Sequence, residues 1–503
     1  MSTTGNNPDM TKGAHGVSSV RVRMAPSPTG YLHVGTARTA LYNYLFARHT
    51  QGTFVMRLED TDELRSKEEY TQDIIEGLKW LTINWDEGPD IGGPFAPYRQ
   101  TEKIDHYSKI ANKLLVSGNA YFCYCTPEEL TALKEDQMAK GKAARYDNRC
   151  RHLSAEKVKQ YEEQGRIPAI RFRVNEPRVI GWTDGIKGEI AIDSSDLGGD
   201  MVIVKSNGVA IYNFAVVVDD IDMKMTHVIR GEDHIHNTAK QILIYEALGA
   251  KPPFFAHTAL MFDLERRKLS KRHHGELVHV DRYRKDGYMP EAMVNYLAQM
   301  SWTPPEGQDE LFSLEEACQL FDLSKVSKSP AVFDVQRLNW FNSHYIRSLP
   351  LSLVTDRALP YLPDNAVKDY GRKGVEEVVA SVRDGLTMLS EINKATEFFF
   401  ASSVEISDET RASVLAKESA TKILRSLLDK LPTMPYGDAP GCKAVVDALG
   451  KELGVKGKEL YWPIRAAVSG SVQGPDMGSM LSLLGKDRLC RRIEDALQLC
   501  ATT

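Results

Sequence analysis

Apolar and basic positions alternate along Val20-Arg21-Val22-Arg23-Met24, the period-two pattern of a strand leaving a sheet. Pro26 and Pro28 then exclude helix and hold the chain extended, and Gly30 permits a turn or a close backbone approach. From residue 36 the period changes. Ala37, Ala40, Leu41, Tyr44 and Leu45 recur on one face of a helix expected over 36–48 and ended by Gly52. Residues 53–58 read as a second strand running into Glu59-Asp60-Thr61-Asp62. Helices are expected over 73–81, with Ile74, Ile75, Leu78 and Leu81 facing in, and over 102–116; Trp80 and Trp85 are assigned to the core. This alternation predicts a parallel sheet with helical cover.

At Tyr121 the pattern breaks, and residues 166–200 form short strands. The sheet then resumes with a strand at 201–205, a turn at Ser206-Asn207-Gly208, the apolar run 210–218 ending in Asp219-Asp220, a strand at 226–230 and a helix at 238–248. Beyond Gly275 no strand pattern is convincing. Helices are expected over 313–321, 334–340, 351–362, 373–395, 410–431 and 440–453. The stretches 454–458 and 461–465 (Tyr461-Trp462-Pro463-Ile464-Arg465) interrupt them, and a closing helix over 481–499 breaks at Gly485.

Composition narrows the class. The chain has 503 residues, 42% hydrophobic and 26% charged, which allows several buried cores. A net charge of −5 provides no global basic field, so any nucleic-acid surface must be a local concentration of cations. No apolar run is long enough to span a bilayer. Residues 1–19 lack the apolar core of a secretory signal and read as a disordered tail. Seven scattered cysteines do not form a disulfide framework, and a reducing cytoplasm fits them best.

Candidate chemistry gathers at five places. A strand, a rigid loop and a helix N-terminus carrying His33 and Gly35 form a site for anions, and hence for nucleotide phosphates. Glu59 stands at a strand end, where open α/β sheets bind ligands; Thr61 and Asp62 serve a ligand or cap the next helix. Residues 265–272 (Glu-Arg-Arg-Lys-Leu-Ser-Lys-Arg) carry two lysines and three arginines, either a clamp for polyphosphate or a solvated basic loop. Cys123, Cys125, Cys150 and His152 are a full tetrahedral zinc set, separated by a polar helical stretch. Cys318, Cys442, Cys490 and Cys500 read as small buried hydrophobes. Arg171 and Arg173 share a strand face that is either solvated or turned to a phosphate backbone.

The AlaProSerProThrGly–x–x–HisValGly turn and the LysLeuSerLysArg loop together resemble the two signatures of class I aminoacyl-tRNA synthetases, HIGH and KMSKS. Arg57-Leu58-Glu59-Asp60-Thr61-Asp62, Tyr98-Arg99-Gln100, Tyr212-Asn213-Phe214, Val217-Val218-Asp219-Asp220 and the segment His227 to Asp233 extend the likeness to the bacterial glutamyl-tRNA synthetase family. The resemblance implies a Rossmann-like catalytic domain with an inserted zinc-bearing acceptor-binding domain, followed by an all-α anticodon-binding region. Six segments follow: a tail (1–19), the first catalytic half (20–118), the insertion (119–200), the second catalytic half (201–265), the KMSKS loop with a stem-contact region (266–345) and the anticodon-binding region (346–503).

The resemblance also implies a two-step reaction, in which glutamate attacks the α-phosphate of ATP and the adenylate then charges tRNA(Glu). In this family the first step generally waits for tRNA, and Mg2+ accompanies ATP. His33, Lys268 and Lys271 are the implied catalytic residues. ATP falls to Pro26, Ser27, Thr29, Gly30, His33, Gly35, Thr36, Lys268, Ser270 and Lys271. Glutamate falls to Arg23, Ala25, Ser27, Glu59, Tyr212 and Arg230. A substrate with two carboxylates and one ammonium needs cationic forks and one acid, which this set supplies. Val216 stands where some relatives carry a polar contact, and it is left out. One structural Zn2+ per chain on Cys123, Cys125, Cys150 and His152, a monomer, no membrane partner and a cytoplasmic location complete the expectation. Glutaminyl-tRNA synthetase is disfavoured: its Pro-Glu-Pro-Asn-Gly loop is absent and this chain ends in helices. A glutamyl-queuosine enzyme or a small nucleotidyltransferase needs no long helical module. A non-enzymatic tRNA-binding protein has no need of intact His33, Lys268 and Lys271.

Overall fold

The computed structural model describes residues 19–175 and 177–501, so the tail reading for 1–19 lies outside them except for Ser19. The described chain divides into two compact units. One comprises the residues up to Arg282 with Met293–Asp334; the other comprises Tyr283–Ala292 with the residues from Val335 onward.

The first unit is built on parallel strand pairs. β1 (Arg21–Met24) and β2 (Thr53–Met56) pair in parallel, with α1 (Val34–His49) as their crossover. The return is tight: the Thr53 N–H donates to the Val20 carbonyl at 2.8 Å. A Cβ on Gly52 would sit 2.4 Å from that same oxygen, so only glycine lets β2 arrive there. α1 is buried nearly all round. Ala37, Ala40, Leu41 and Leu45 of the expected apolar face are buried and Tyr44 is half-buried, but Arg38, Tyr42 and Asn43 are buried too. Asn43 donates to the Ile229 carbonyl (3.0 Å) and the Tyr42 hydroxyl to the Ala298 carbonyl (3.0 Å), so the helix is held on its far side as well. α2 spans Glu68–Trp80 and α3 Ile104–Val116.

The chain then enters the insertion. β3 (Ala120–Cys123), β4 (Ala169–Phe172) and β7 (Met201–Val204) form an antiparallel sheet in the order β3-β4-β7. α4 (Pro127–Ala139), opened by a capping box of Thr126 and Glu129, and α5 (Ala155–Glu163) lie between β3 and β4. β5 (Val179–Asp184) and β6 (Gly188–Asp193) make a separate hairpin. Phe172, Ile180, Ile192 and Ile203 share one apolar core with Leu114, Phe214, Val217 and Ile242, so the insertion is packed into the α/β unit.

The apolar run counted with the resumed sheet is instead a helix, α6 (Tyr212–Asp222). Phe214 through Asp220 are all buried, and a helix covered on every side shows no amphipathic period to read. β8 (His227–Gly231) and β9 (Phe254–Thr258) pair in parallel around α7 (Ile235–Ala247). Thr226 at the foot of β8 donates its N–H to the Arg21 carbonyl (3.0 Å), tying the two strand pairs together. A two-residue strand, Met261–Phe262, pairs with Ala331–Val332, a strand the sequence beyond Gly275 did not announce.

The second unit is helical among the described residues, with a core of Leu424, Leu427, Leu449, Ile464, Leu481 and Ile493. Tyr461 to Arg465 do not interrupt it: they lie in the helix Lys458–Ser469, which carries Pro463 inside. Met477–Ala501 is broken at Gly485 as expected, with φ of 73°. Beyond that break Arg492 is buried and donates to the carbonyls of Phe398 (2.6 Å) and Ala401 (2.7 Å), satisfying open acceptors at the end of the helix Ile392–Phe400.

Candidate active site

A cavity of about 320 Å³ opens where β1, β8 and β9 end, the side of an α/β sheet where ligands bind. Arg23, Ala25, Ser27, His33, Gly35, Thr36, Glu59, Tyr212, Arg230 and Lys268 all line it. Pro26, Thr29 and Gly30 line an adjoining hollow of about 210 Å³ with Ser27, His33 and Thr36. A Cβ on Gly30 would meet nothing within 4 Å and its φ is not positive, so the glycine keeps space open and is not demanded by the turn. Ser270 and Lys271 line neither. Ser270 is the N-cap residue of α8 (Lys271–His274), and the exposed Lys271 ammonium stands 5.8 Å from the Tyr31 ring centroid.

His33 is the N-cap of α1, and its Nδ1 accepts the Gly35 N–H at 3.0 Å. Burial, aided by His279, His274 and Lys268, pushes its pKa down to about 4. The ring is therefore neutral at pH 7, with Nδ1 accepting and Nε2–H left to donate. A Cβ on Gly35 would stand 3.2 Å from that Nδ1, so glycine protects the cap.

Beneath the cavity lies a buried ionic lattice. Asp220 accepts from Arg57 (2.7 Å) and Arg23 (3.3 Å); Glu59 accepts from Arg57 (3.1 Å); Asp219 accepts from Lys103 (2.6 Å) and stands 3.6 Å from Arg57. Lys103 also reaches the half-buried Asp222 at 3.0 Å, so three cations meet three buried carboxylates and a fourth at the rim. Burial pushes Glu59 up, while Asp220 is held below the usual carboxylate range because Arg23 and Arg57 outweigh its burial. Arg230 is buried apart from this lattice, and its Nη1 has no hydrogen-bond partner among the described residues. Tyr212 bonds His234 Nδ1 through its hydroxyl (3.1 Å). Val216 is buried in the core and does not reach the cavity.

Sequence reasoning missed Arg38, Asp233, His234, Thr258 and Met261, which also line the cavity. Only the short acidic-histidine run after β8 hinted at Asp233 and His234. Thr61 and Asp62 do not cap α2, whose N-cap position is Lys67.

The insertion gathers three of its four expected ligands. The Cys123, Cys125 and Cys150 sulfurs lie within 4.8 Å of one another. His152 does not join them; it is exposed in the turn just after Cys150. The fourth side chain at the cluster is Tyr146, whose hydroxyl is 3.4 Å from Cys123 Sγ and 3.8 Å from Cys125 Sγ. Arg171 donates to Cys123 Sγ (3.2 Å) and lies over the Tyr146 ring, and Arg173 lies over Tyr121. Neither reading of the Arg171 face holds: that guanidinium is buried against the thiols. In the helical unit, Lys458, Tyr461, Trp462 and Arg465 line a cavity of about 400 Å³.

A family model for the catalytic domain of class I tRNA synthetases (E and Q) matches residues 19–340, and one for an anticodon binding domain matches 353–497. The glutamate–tRNA ligase of Natranaerobius thermophilus is 44% identical over 486 residues, covering 95% of this chain and 99% of the relative. This chain belongs to the glutamate–tRNA ligase family. The ligase of Carboxydothermus hydrogenoformans is 45% identical over 480 residues, 94% of this chain and 99% of that protein. A crystal structure of a glutamate tRNA ligase from Elizabethkingia meningosepticum in complex with its amino acid superposes with a TM-score of 0.86 at 31% identity, covering 95% of this chain and 99% of the other. Within this ligase family frame, the strand-end cavity and the HIGH-like and KMSKS-like segments belong to the catalytic module, and the all-helical unit carries the anticodon-binding one.

Proposed function

We infer that this chain attaches L-glutamate to tRNA(Glu) at the expense of ATP, through a glutamyl-adenylate, and that the cavity at the strand ends is where the two small substrates meet. The observation that carries this is the buried Arg230 lining the cavity: two of its nitrogens are held by protein acceptors, while its Nη1 has no hydrogen-bond partner among the described residues. A buried guanidinium with a free N–H is matched by a carboxylate, which the glutamate side chain supplies and that of glutamine does not. Arg23, Arg230 and Tyr212 receive the carboxylates, Glu59 the ammonium, and Ala25 and Ser27 the loop side of the amino acid. Pro26, Thr29, Gly30, Gly35 and Thr36 form the ATP side, where the neutral His33 donates from Nε2 to phosphate. Lys268, Ser270 and Lys271 close over the polyphosphate, with Mg2+ accompanying the nucleotide. No protein nucleophile is required, because the substrate carboxylate attacks; positioning and charge stabilisation carry the rate.

Three clustered sulfurs are the donor set of a soft, structural cation, and we assign one Zn2+ to Cys123, Cys125 and Cys150. Tyr146, not the exposed His152, is the side chain adjacent for the fourth position. The insertion contacts the acceptor stem, and the cationic, aromatic hollow at Lys458, Tyr461, Trp462 and Arg465 suits a stacked base of the anticodon loop. All seven cysteines are free, which fits the cytoplasm; among the described residues no helix is long and apolar enough to cross a membrane. Aminoacylation of tRNA(Glu) and tRNA(Gln) transcripts with labelled glutamate tests the reading. Labelling of tRNA(Glu) is expected; labelling of neither defeats it.

A further inference from the structure

Behind Arg230 runs a chain of buried polar side chains that none of these assignments uses. Arg230 on β8 and His257 on β9 are registered partners across the parallel pair. Asp184, the last residue of β5, meets the far side of the imidazole, its Oδ2 2.5 Å from His257 Nδ1. Its Oδ1 accepts the backbone N–H of His257 (3.0 Å), Ile186 (3.0 Å) and Lys187 (2.9 Å). Neither side chain has any exposed surface.

The donor inventory determines where the proton sits. An ionised carboxylate only accepts, so Nδ1 carries the hydrogen and Nε2 the lone pair. The Arg230 Nε–H only donates, and it points at that lone pair from 3.3 Å, beside the Thr238 hydroxyl at 3.0 Å from the same nitrogen. Burial pushes His257 below its ordinary value; the His257 ring and the backbone amides hold Asp184 low against its own burial. The neutral ring and the carboxylate therefore coexist at neutral pH. Arg230 Nη2 is spent on Thr238 Oγ1 (2.6 Å) and Gln241 Oε1 (2.8 Å), which leaves Nη1 for a ligand.

We propose that His257 is a positioning residue for the amino-acid substrate: it orients Arg230 so that Nη1 faces a substrate carboxylate, and Asp184 from the inserted hairpin holds His257 in the tautomer that allows this. The inference rests on the assignment of Arg230 to glutamate. It joins the insertion to the amino-acid pocket, since the same hairpin also pairs Lys187 with Glu232, whose other oxygen accepts the Leu260 N–H at 2.8 Å.

Three full-length variants test it by ATP–pyrophosphate exchange with tRNA present. In Asp184→Asn the amide donates to Nδ1, the ring proton moves to Nε2 where Thr238 Oγ1 can accept it, and Arg230 Nε–H loses its acceptor. The KM for glutamate is expected to rise about ten-fold or more, the loss of one hydrogen bond to a charged group. The KM for ATP stays within about two-fold. His257→Leu behaves alike, and His257→Gln, whose amide oxygen reaches the Nε2 position, recovers much of that loss. An Asp184→Asn enzyme with an unchanged glutamate KM overturns the proposal. So do equal rises in both KM values with Gln no better than Leu, or loss of fold in both Asp184→Asn and His257→Gln. A wild-type chain without glutamate-dependent exchange would instead defeat the assignment of Arg230 itself.

Discussion

Arg57→Met is the most exacting probe of the ionic lattice. Arg57 has no exposed surface and its guanidinium meets Asp220 at 2.7 Å, Glu59 at 3.1 Å and Asp219 at 3.6 Å. Methionine keeps much of the stem volume and removes the charge, so three buried carboxylates are left against Arg23 and Lys103. Breaking one buried ion pair by deleting a partner costs about 3–5 kcal/mol, and the upper part of that range is expected where three acids share the deleted cation. The loss must depend on pH. In the native protein Asp220 lies below the ordinary carboxylate value despite its burial, because Arg23 and Arg57 hold it there. It adds stability above the unfolded carboxylate pKa and loses it as the pH falls through its own lower one. Without Arg57, burial moves the site above the unfolded value, and protonation relieves the uncompensated charge. The gap between wild type and variant should therefore shrink from about pH 7.5 to about pH 5.5. Two compact units make whole-chain unfolding a poor two-state measure, so the assay is hydrogen exchange of peptides spanning β1, β2 and α6. A difference below about 1 kcal/mol, the worth of a solvated pair, or a gap that stays constant with pH, refutes the reasoning.

Lys271→Ala should keep its circular dichroism while glutamate-dependent exchange falls by roughly two orders of magnitude, about 3 kcal/mol of lost stabilisation of developing phosphate charge; near-normal exchange removes Lys271 from the reaction. Purified protein should carry about one zinc, with Cys150→Ser losing it and His152→Ala keeping it; zinc loss in His152→Ala would put the histidine back among the ligands. His33 has a pKa near 4, so its neutral form should persist down to about pH 5.5, and the rate deficit of His33→Gln should stay flat from there to about pH 8. A deficit that grows across a pKa near 6.5 would contradict the burial of this ring. Gly35→Ala brings a Cβ against His33 Nδ1 and should raise the KM for ATP more than that for glutamate.

The parts of the site that were legible in the sequence are those encoded locally. Pro26, Pro28, His33 and Gly35 define a loop and a cap within a few residues of one another, and α1 begins at Val34, two residues before the expected start, with His33 as its cap. Gly485 announces its own break. The run 210–218 failed because periodicity reports a difference between two faces, and α6 has none. Arg171 failed for a related reason. Alternation says that two residues share a face, not whether that face meets water or a cluster of thiols.

The sequence by itself determined the strand–helix alternation up to α3, the anion-binding turn, the three clustered cysteines and the helical character of the C-terminal third. These are properties of short segments, set by backbone preference and residue chemistry. It did not determine that the strand at 201–205 belongs to the sheet of the insertion or that 212–222 is helix. Only the tertiary structure decided which charges answer which. Arg23 pairs with Asp220, Lys103 with Asp219, and Asp184 reaches His257 from the insertion. A hydrophobic pattern encodes which positions leave water. Whether a buried charge is tolerated there depends on a counter-charge or acceptor far along the chain, and that partner is chosen by packing.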